Sequence, residues 1–134
     1  MASDTRIPVL NAQKLTGRLS ELKERNGDPP WGEVIAEGDE FRVVAICQAP
    51  GHENDYHYHK DVECWYIAEG ELSWLFEGQT EPLKVSAGDF VFAPKNTWHH
   101  IEVLGDRPSI RIAATRVGEF HRYDRPGCRP VPAD

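Results

Sequence analysis

Three imidazoles and one carboxylate carry the strongest chemical signal in the chain: His57, His59, Glu63 and His99. Residues two apart on a strand point to the same face, so His57 and His59 present adjacent rings, and Glu63, of the same parity, follows after a short bend. His99 lies 40 residues beyond His59 on a separate apolar run, and in a closed barrel two such strands face one another across the interior. Three imidazoles and a carboxylate suit one divalent transition metal and leave one or two coordination positions for water or substrate. His52, His100 and His121 share neither the parity nor the spacing of that set and read as ordinary hydrogen-bonded histidines. His100, beside His99, is expected to point the opposite way.

The elements that must position these groups are short. From Trp31 to Val117 the pattern has period two, in runs such as Phe41 to Cys47, Cys64 to Ala68, Leu72 to Phe76, Leu83 to Val85, Asp89 to Phe92, Trp98 to Leu104 and Ile110 to Val117. These are rich in β-branched and aromatic residues and are separated by turn pairs such as Glu69-Gly70, Glu77-Gly78 and Gly105-Asp106. Seven or eight strands at that spacing predict an antiparallel sandwich or barrel. Ahead of them, Leu15, Leu19 and Leu22 repeat at helical spacing, which predicts a helix over Asn11 to Arg25 with Asn11 as N-cap and Gly27 as terminator. The expected organisation is an N-terminal helical arm over 1–30, a β-barrel over 31–120 and an extended, proline-rich tail over 121–134.

Composition narrows the function. At 134 residues the chain has room for one domain. Fifteen Lys and Arg against 22 Asp and Glu leave a net charge of −7, which argues against nucleic acid or an anionic membrane surface as partner. No run approaches the roughly 20 apolar residues of a membrane span, and MASDTRIPVL has no basic flank before an apolar block, so the expectation is a cytoplasmic protein. Cys47, Cys64 and Cys128 form no CxxC pair. Cys47 and Cys64, in strand-like runs, are expected to be small buried apolar residues.

In this setting the sequence resembles the cupin superfamily. Its first motif is Gly, five residues, His-x-His, three or four residues, Glu, six residues, Gly; Gly51, His57, His59, Glu63 and Gly70 stand at those intervals. The second motif places Gly, Pro, Gly, His and Asn where this chain has Gly88, Pro94, Asn96, His99 and Val103. Asn96 can adopt the left-handed turn that glycine supplies, and the Asn replaced by Val103 is not a metal ligand in the family. The resemblance, spanning about Phe41 to Val117, implies an all-β fold, a single cupin-type jelly-roll barrel with a short N-terminal helix. It implies His57, His59, Glu63 and His99 as metal ligands, and a homodimer. Parity nominates Trp65 and Ile67, beside Glu63, and Ile101 and Val103, beside His99, as walls of a substrate pocket. Tyr56, Phe90, Phe92, Arg42 and Arg111 are weaker candidates whose facing the register would decide. An inward Arg would suit a carboxylate-bearing substrate, but an outward Arg is the default expectation.

The fold does not name the reaction. The ligand set resembles that of cupin dioxygenases, which implies Fe(II), with Mn, Ni, Zn or Cu as alternatives, acting on a small aromatic or enolic substrate. Asn54 to His57, Glu63 and the Trp65-Tyr66 pair resemble 3-hydroxyanthranilate dioxygenases, but Glu53 and Val103 occupy the positions of that family's substrate-binding arginines, which implies a different substrate. The alternatives are a redox-neutral lyase, isomerase or hydrolase whose metal acts as a Lewis acid, and a non-catalytic cupin that binds a small ligand.

Overall fold

The strands of the computed structural model, which describes residues 7–132, sort into two antiparallel sheets; residues 1–6 of the expected arm and 133–134 of the tail lie outside the described residues. One sheet contains β1 (Trp31–Glu37), β2 (Phe41–Gln48), β4 (Glu63–Glu69), β7 (Phe90–Ala93) and β9 (Ser109–Arg116) in the order β1-β2-β9-β4-β7. The other contains β3 (Tyr56–His57), β5 (Glu71–Phe76), β6 (Leu83–Ser86) and β8 (His99–Leu104) in the order β3-β8-β5-β6. Non-sequential neighbours in both sheets give the jelly-roll crossing of the chain. The expected closed barrel is thus met in part, as two sheets with a shared core rather than one continuous hydrogen-bonded ring.

That core forms where the inward faces meet. Trp65, Ile67, Leu72, Trp74, Phe76, Val91, Ala93, Ile101, Val103 and Ala113 make one buried cluster, and close packing of such side chains supplies the main stabilising term. Glu63, Trp65 and Ile67 are all buried while Cys64 and Tyr66 between them are exposed, so alternation fixes the face on which Glu63 sits. Cys64 therefore faces solvent, correcting its expected burial; Cys47 is buried as expected.

The helix is shorter than expected. α1 spans Leu19–Asn26, because Asn11 closes a local turn instead of capping: its Oδ1 accepts from the Gln13 N–H at 2.9 Å and its Nδ2 donates to the Pro8 carbonyl at 3.2 Å. Leu15 is left exposed and Arg18 is the N-cap. Gly27, at φ 70, ends the helix as predicted and returns its N–H to the Lys23 carbonyl. The helix docks on the outer face of the five-stranded sheet through buried Leu22 and through Arg25 and Asn26, both hydrogen-bonded to Glu33 on β1.

Two turns bear on the site. Gly70 has φ 85, and a Cβ there would lie 2.8 Å from the Pro108 carbonyl oxygen, so a side chain is excluded by space as well as conformation. Asn96 takes φ 61, the left-handed conformation expected of it, and its N–H donates to the His59 carbonyl at 2.7 Å. The second motif is thereby tied to the first.

Candidate metal centre

His57 comes from β3, His59 from the loop after it, Glu63 from the start of β4 and His99 from the start of β8. The β3–β8 register sets His57 opposite His99, and all four side chains are buried. Their atoms converge. His57 Nε2 lies 3.1 Å from His59 Nε2, His59 Nε2 lies 3.1 Å from Glu63 Oε1, and His99 Nε2 lies 3.9 Å from the same oxygen. One ligand atom each from His57, Glu63 and His99 falls within 4.8 Å of the others.

The tautomers follow from the outer partners. His57 Nδ1 sits 2.6 Å from Asp55 Oδ1, and His59 Nδ1 sits 3.1 Å from the Phe120 carbonyl oxygen. A carboxylate and a carbonyl only accept, so each Nδ1 carries the hydrogen and each neutral ring turns its Nε2 lone pair toward the centre. Two lone pairs then face one another at 3.1 Å, an arrangement that requires a cation or a proton between them. Glu63 Oε1 and both ring nitrogens of His99 are buried without hydrogen-bond partners. Unpaired polar atoms are costly in a protein interior, and His57 Nε2, His59 Nε2, Glu63 Oε1 and His99 Nε2 together match the donor set of a divalent transition metal. The residues fit such an ion.

Electrostatics agree with neutral ligands on one side and a paired one on the other. Burial pushes His99 well below its ordinary value, helped by its imidazole neighbours, and burial also lowers His57 against the pull of Asp55. His59 moves the other way: burial opposes its charge, but the Glu63 carboxylate beside it outweighs that cost. Asp55 would be raised by burial, yet hydrogen bonds from His121, His57 and Tyr123 carry it far below the usual carboxylate range.

His121 and Asp55 are what sequence reasoning missed. His121, expected to be an ordinary histidine, stacks on His57 with ring centroids 3.5 Å apart, and its Nδ1 lies 2.6 Å from Asp55 Oδ2, which also accepts from Tyr123 Oη at 2.6 Å. His121 also falls within a ligand-sized group with His57 and His59. The tail delivers it: isolated bridges pair Tyr58 with Arg122 and Tyr56 with Arg129, and Arg125 clasps Glu77 at 2.6 Å and the Asn96 carbonyl. Asp55 had a signal, its parity with His57; His121 had none in the local spacing.

The remaining candidates separate clearly. Trp65, Ile67, Ile101 and Val103 all lie in the core, with Trp65 edge-on to His99 at 5.1 Å. Phe90 and Phe92 face outward, Arg42 pairs with Glu37 near the surface, and Tyr56 stacks on His100 away from the centre. Arg111 contradicts the outward default: it is 5% exposed and shares the interior face of β9 with Ala113.

Residues 34–114 match the family model described as the Cupin domain, and the chain belongs to the cupin family. Solved structures agree on the fold. An RmlC-like cupin with a double-stranded β-helix fold from Methanocaldococcus jannaschii aligns with a TM-score of 0.62 at 20% identity, over 69% of this chain and 84% of that one. KdgF from Halomonas sp. gives 0.57 at 23% identity over 63% and 77%, and the polyketide cyclase RemF from Streptomyces resistomycificus gives 0.62 at 16% over 77% and 71%. A comparison with curated proteins finds no match. No helix among the described residues is long and apolar enough to cross a membrane.

Proposed function

We propose that this cupin is a mononuclear metal-dependent enzyme acting on a small organic molecule, with His57, His59, Glu63 and His99 as the ligands. The observation that supports this reading is the buried convergence of His57 Nε2, His59 Nε2 and Glu63 Oε1, each 3.1 Å from the next, with His99 Nε2 3.9 Å from the same carboxylate oxygen. When bound, the ion supplies Lewis acidity toward a carbonyl or hydroxyl of the substrate. Asp55 and the Phe120 carbonyl hold the two imidazoles in the ligand tautomer. Trp65 and Phe76, packed around His99, keep water from the interior side. On the other side His121 Nδ1–H and Tyr123 Oη–H both donate to Asp55 Oδ2, a rim that can hold a proton beside the substrate.

That rim favours a redox-neutral reaction of the lyase, isomerase or cyclase type, with Zn, Mn or Ni in the site. The second reading, an Fe(II) dioxygenase, draws support from the aromatic wall, which would shield reactive oxygen species from water. Elemental analysis of protein purified without added metal, followed by turnover of enols, keto acids and catechols in air and under strict anaerobiosis, separates the two. Product formed without O₂ supports the first reading; O₂ consumption that requires Fe(II) replaces it with the second. Absence of any bound metal overturns both.

We also propose a homodimer. The N–H groups of Val9 and Leu10 donate to carbonyls of β1, so the chain itself covers that sheet edge. The opposite edge, β7, pairs with no strand beyond β4 among the described residues and carries Phe90 at 74% and Phe92 at 57% exposure beside exposed Tyr66, an apolar patch suited to a second copy. Light scattering should give about twice the chain mass of 15.2 kDa; the monomer mass at micromolar concentration contradicts it.

A further inference from the structure

Arg111 is a buried cation with no ion-pair partner among the described residues. It lies on β9 opposite Ile46 of β2 and Ile67 of β4, at 5% exposure. Its one hydrogen bond to a described residue runs from Nη1 to Gln48 Oε1 at 2.9 Å, a neutral acceptor, and its Nε has no partner. No carboxylate of a described residue forms an ion pair with it. Buried guanidinium groups are normally paired, because desolvating the charge is expensive.

Its surroundings are built to aim it. Gln48 and Asn54 exchange amide hydrogen bonds at 3.0 Å in both directions, and Asn54 Nδ2 also donates to the Ile101 carbonyl on the facing sheet. That reciprocal pairing fixes the orientation of the Gln48 amide, so Oε1 must point at Arg111 and the guanidinium is held on one side only. Trp74 Nε1, also in the core, is a second buried donor without an acceptor. Burial lowers Arg111 to about 10, opposed by the Glu63 carboxylate, whose field reaches it through the interior. Arg111 therefore stays charged at neutral pH and is electrostatically coupled to the proposed metal ligands. Ile67, its β4 partner, is four residues from Glu63 and shares its buried face, so Arg111 and Glu63 belong to the same interior.

We propose that Arg111 is the anion receptor of the site: the substrate is a small carboxylate, its acid group seated on Arg111 in the interior and its reacting oxygen directed at the His57, His59, Glu63, His99 centre. The inference rests on the metal-enzyme reading for the second half of that statement and on Arg111 alone for the first. Gln48 and Asn54 are positioning residues.

The test is calorimetric titration of the metal-loaded protein with acetate, propionate and benzoate, each against its neutral amide, with metal content measured on every sample. Wild type should prefer at least one acid over its amide by tenfold or more. Arg111→Met should lose that preference at unchanged metal content, and Arg111→Lys, which keeps the charge without the fork, should retain part of it. An acid preference undiminished in Arg111→Met, or no acid bound by wild type, overturns the proposal. If Arg111→Met fails to fold, Arg111→Lys decides: affinity for the acid equal to wild type overturns the proposal, and a loss of severalfold with the melting temperature retained supports it. A purely structural brace would lower the melting temperature and leave the acid preference intact. Wild type that binds no metal yet shows an Arg111-dependent acid preference would sink the metal reading and leave the anion site standing.

Discussion

The two rims of the centre are built differently. On the strand side, Glu63 and His99 enter from β4 and β8, buried and with polar atoms left unpaired. On the tail side, His121 and Tyr123 arrive on an irregular segment, exposed, with their hydrogen bonds completed on Asp55. A rigid sheet can hold unsatisfied ligands in place because core packing opposes their rearrangement. An extended tail has no such support and must satisfy its own polar groups locally. The strand side is thus suited to hold an ion and the tail side to orient and hydrogen-bond what surrounds it.

Removing a strand-side ligand should break the comparison most severely. Glu63→Ala or His99→Ala should weaken metal binding by more than about 100-fold, beyond the roughly 10- to 100-fold loss typical of outer partners; competition with a chelating indicator measures it. Asp55 joins the two rims, and Asp55→Ala should cost about 10- to 100-fold, since His57 loses the acceptor that fixes its tautomer. His121→Ala, which removes one ring stacked on His57, should cost less than about tenfold by the same assay. Equal losses from His121 and His99 would mean that the tail supplies a true ligand and that the division between rims is false.

The smallest effect is a titration. Burial and the hydrogen bond to Asp55 raise Tyr123 from 10.0 to about 12. The unfolded chain therefore releases that proton first, so the stability Tyr123 contributes is fully present below pH 10 and is lost as pH rises through 12. Phenolate absorbance should show a late-titrating tyrosine, absent in Tyr123→Phe. A wild-type curve unchanged by that substitution would detach Tyr123 from Asp55.

The same contrast explains what the sequence could disclose. Strand parity alone placed Glu63, Trp65 and Ile67 on one face and His99, Ile101 and Val103 on one face, because on β4 and β8 buried and more exposed positions alternate. On β9 Ser109, Ile110 and Arg111 are all buried, since helix α1 covers the outer face there, so alternation is erased and the inward direction of Arg111 cannot be read. The helix is shorter than its apolar spacing predicts because Leu15 keeps that spacing while Asn11 commits its side chain to a turn. His121 depends on pairing between residues more than 60 apart, Tyr58 with Arg122, which no local pattern encodes.

The central claim is that three imidazoles and one carboxylate share a single ion. X-ray absorption at the edge of the metal bound to wild-type protein, loaded with one equivalent, counts those ligands directly. The account predicts three imidazole rings and an oxygen shell that includes Glu63, with one ring lost in His99→Ala. A spectrum with fewer than two imidazoles, or one unchanged in His99→Ala, would contradict it.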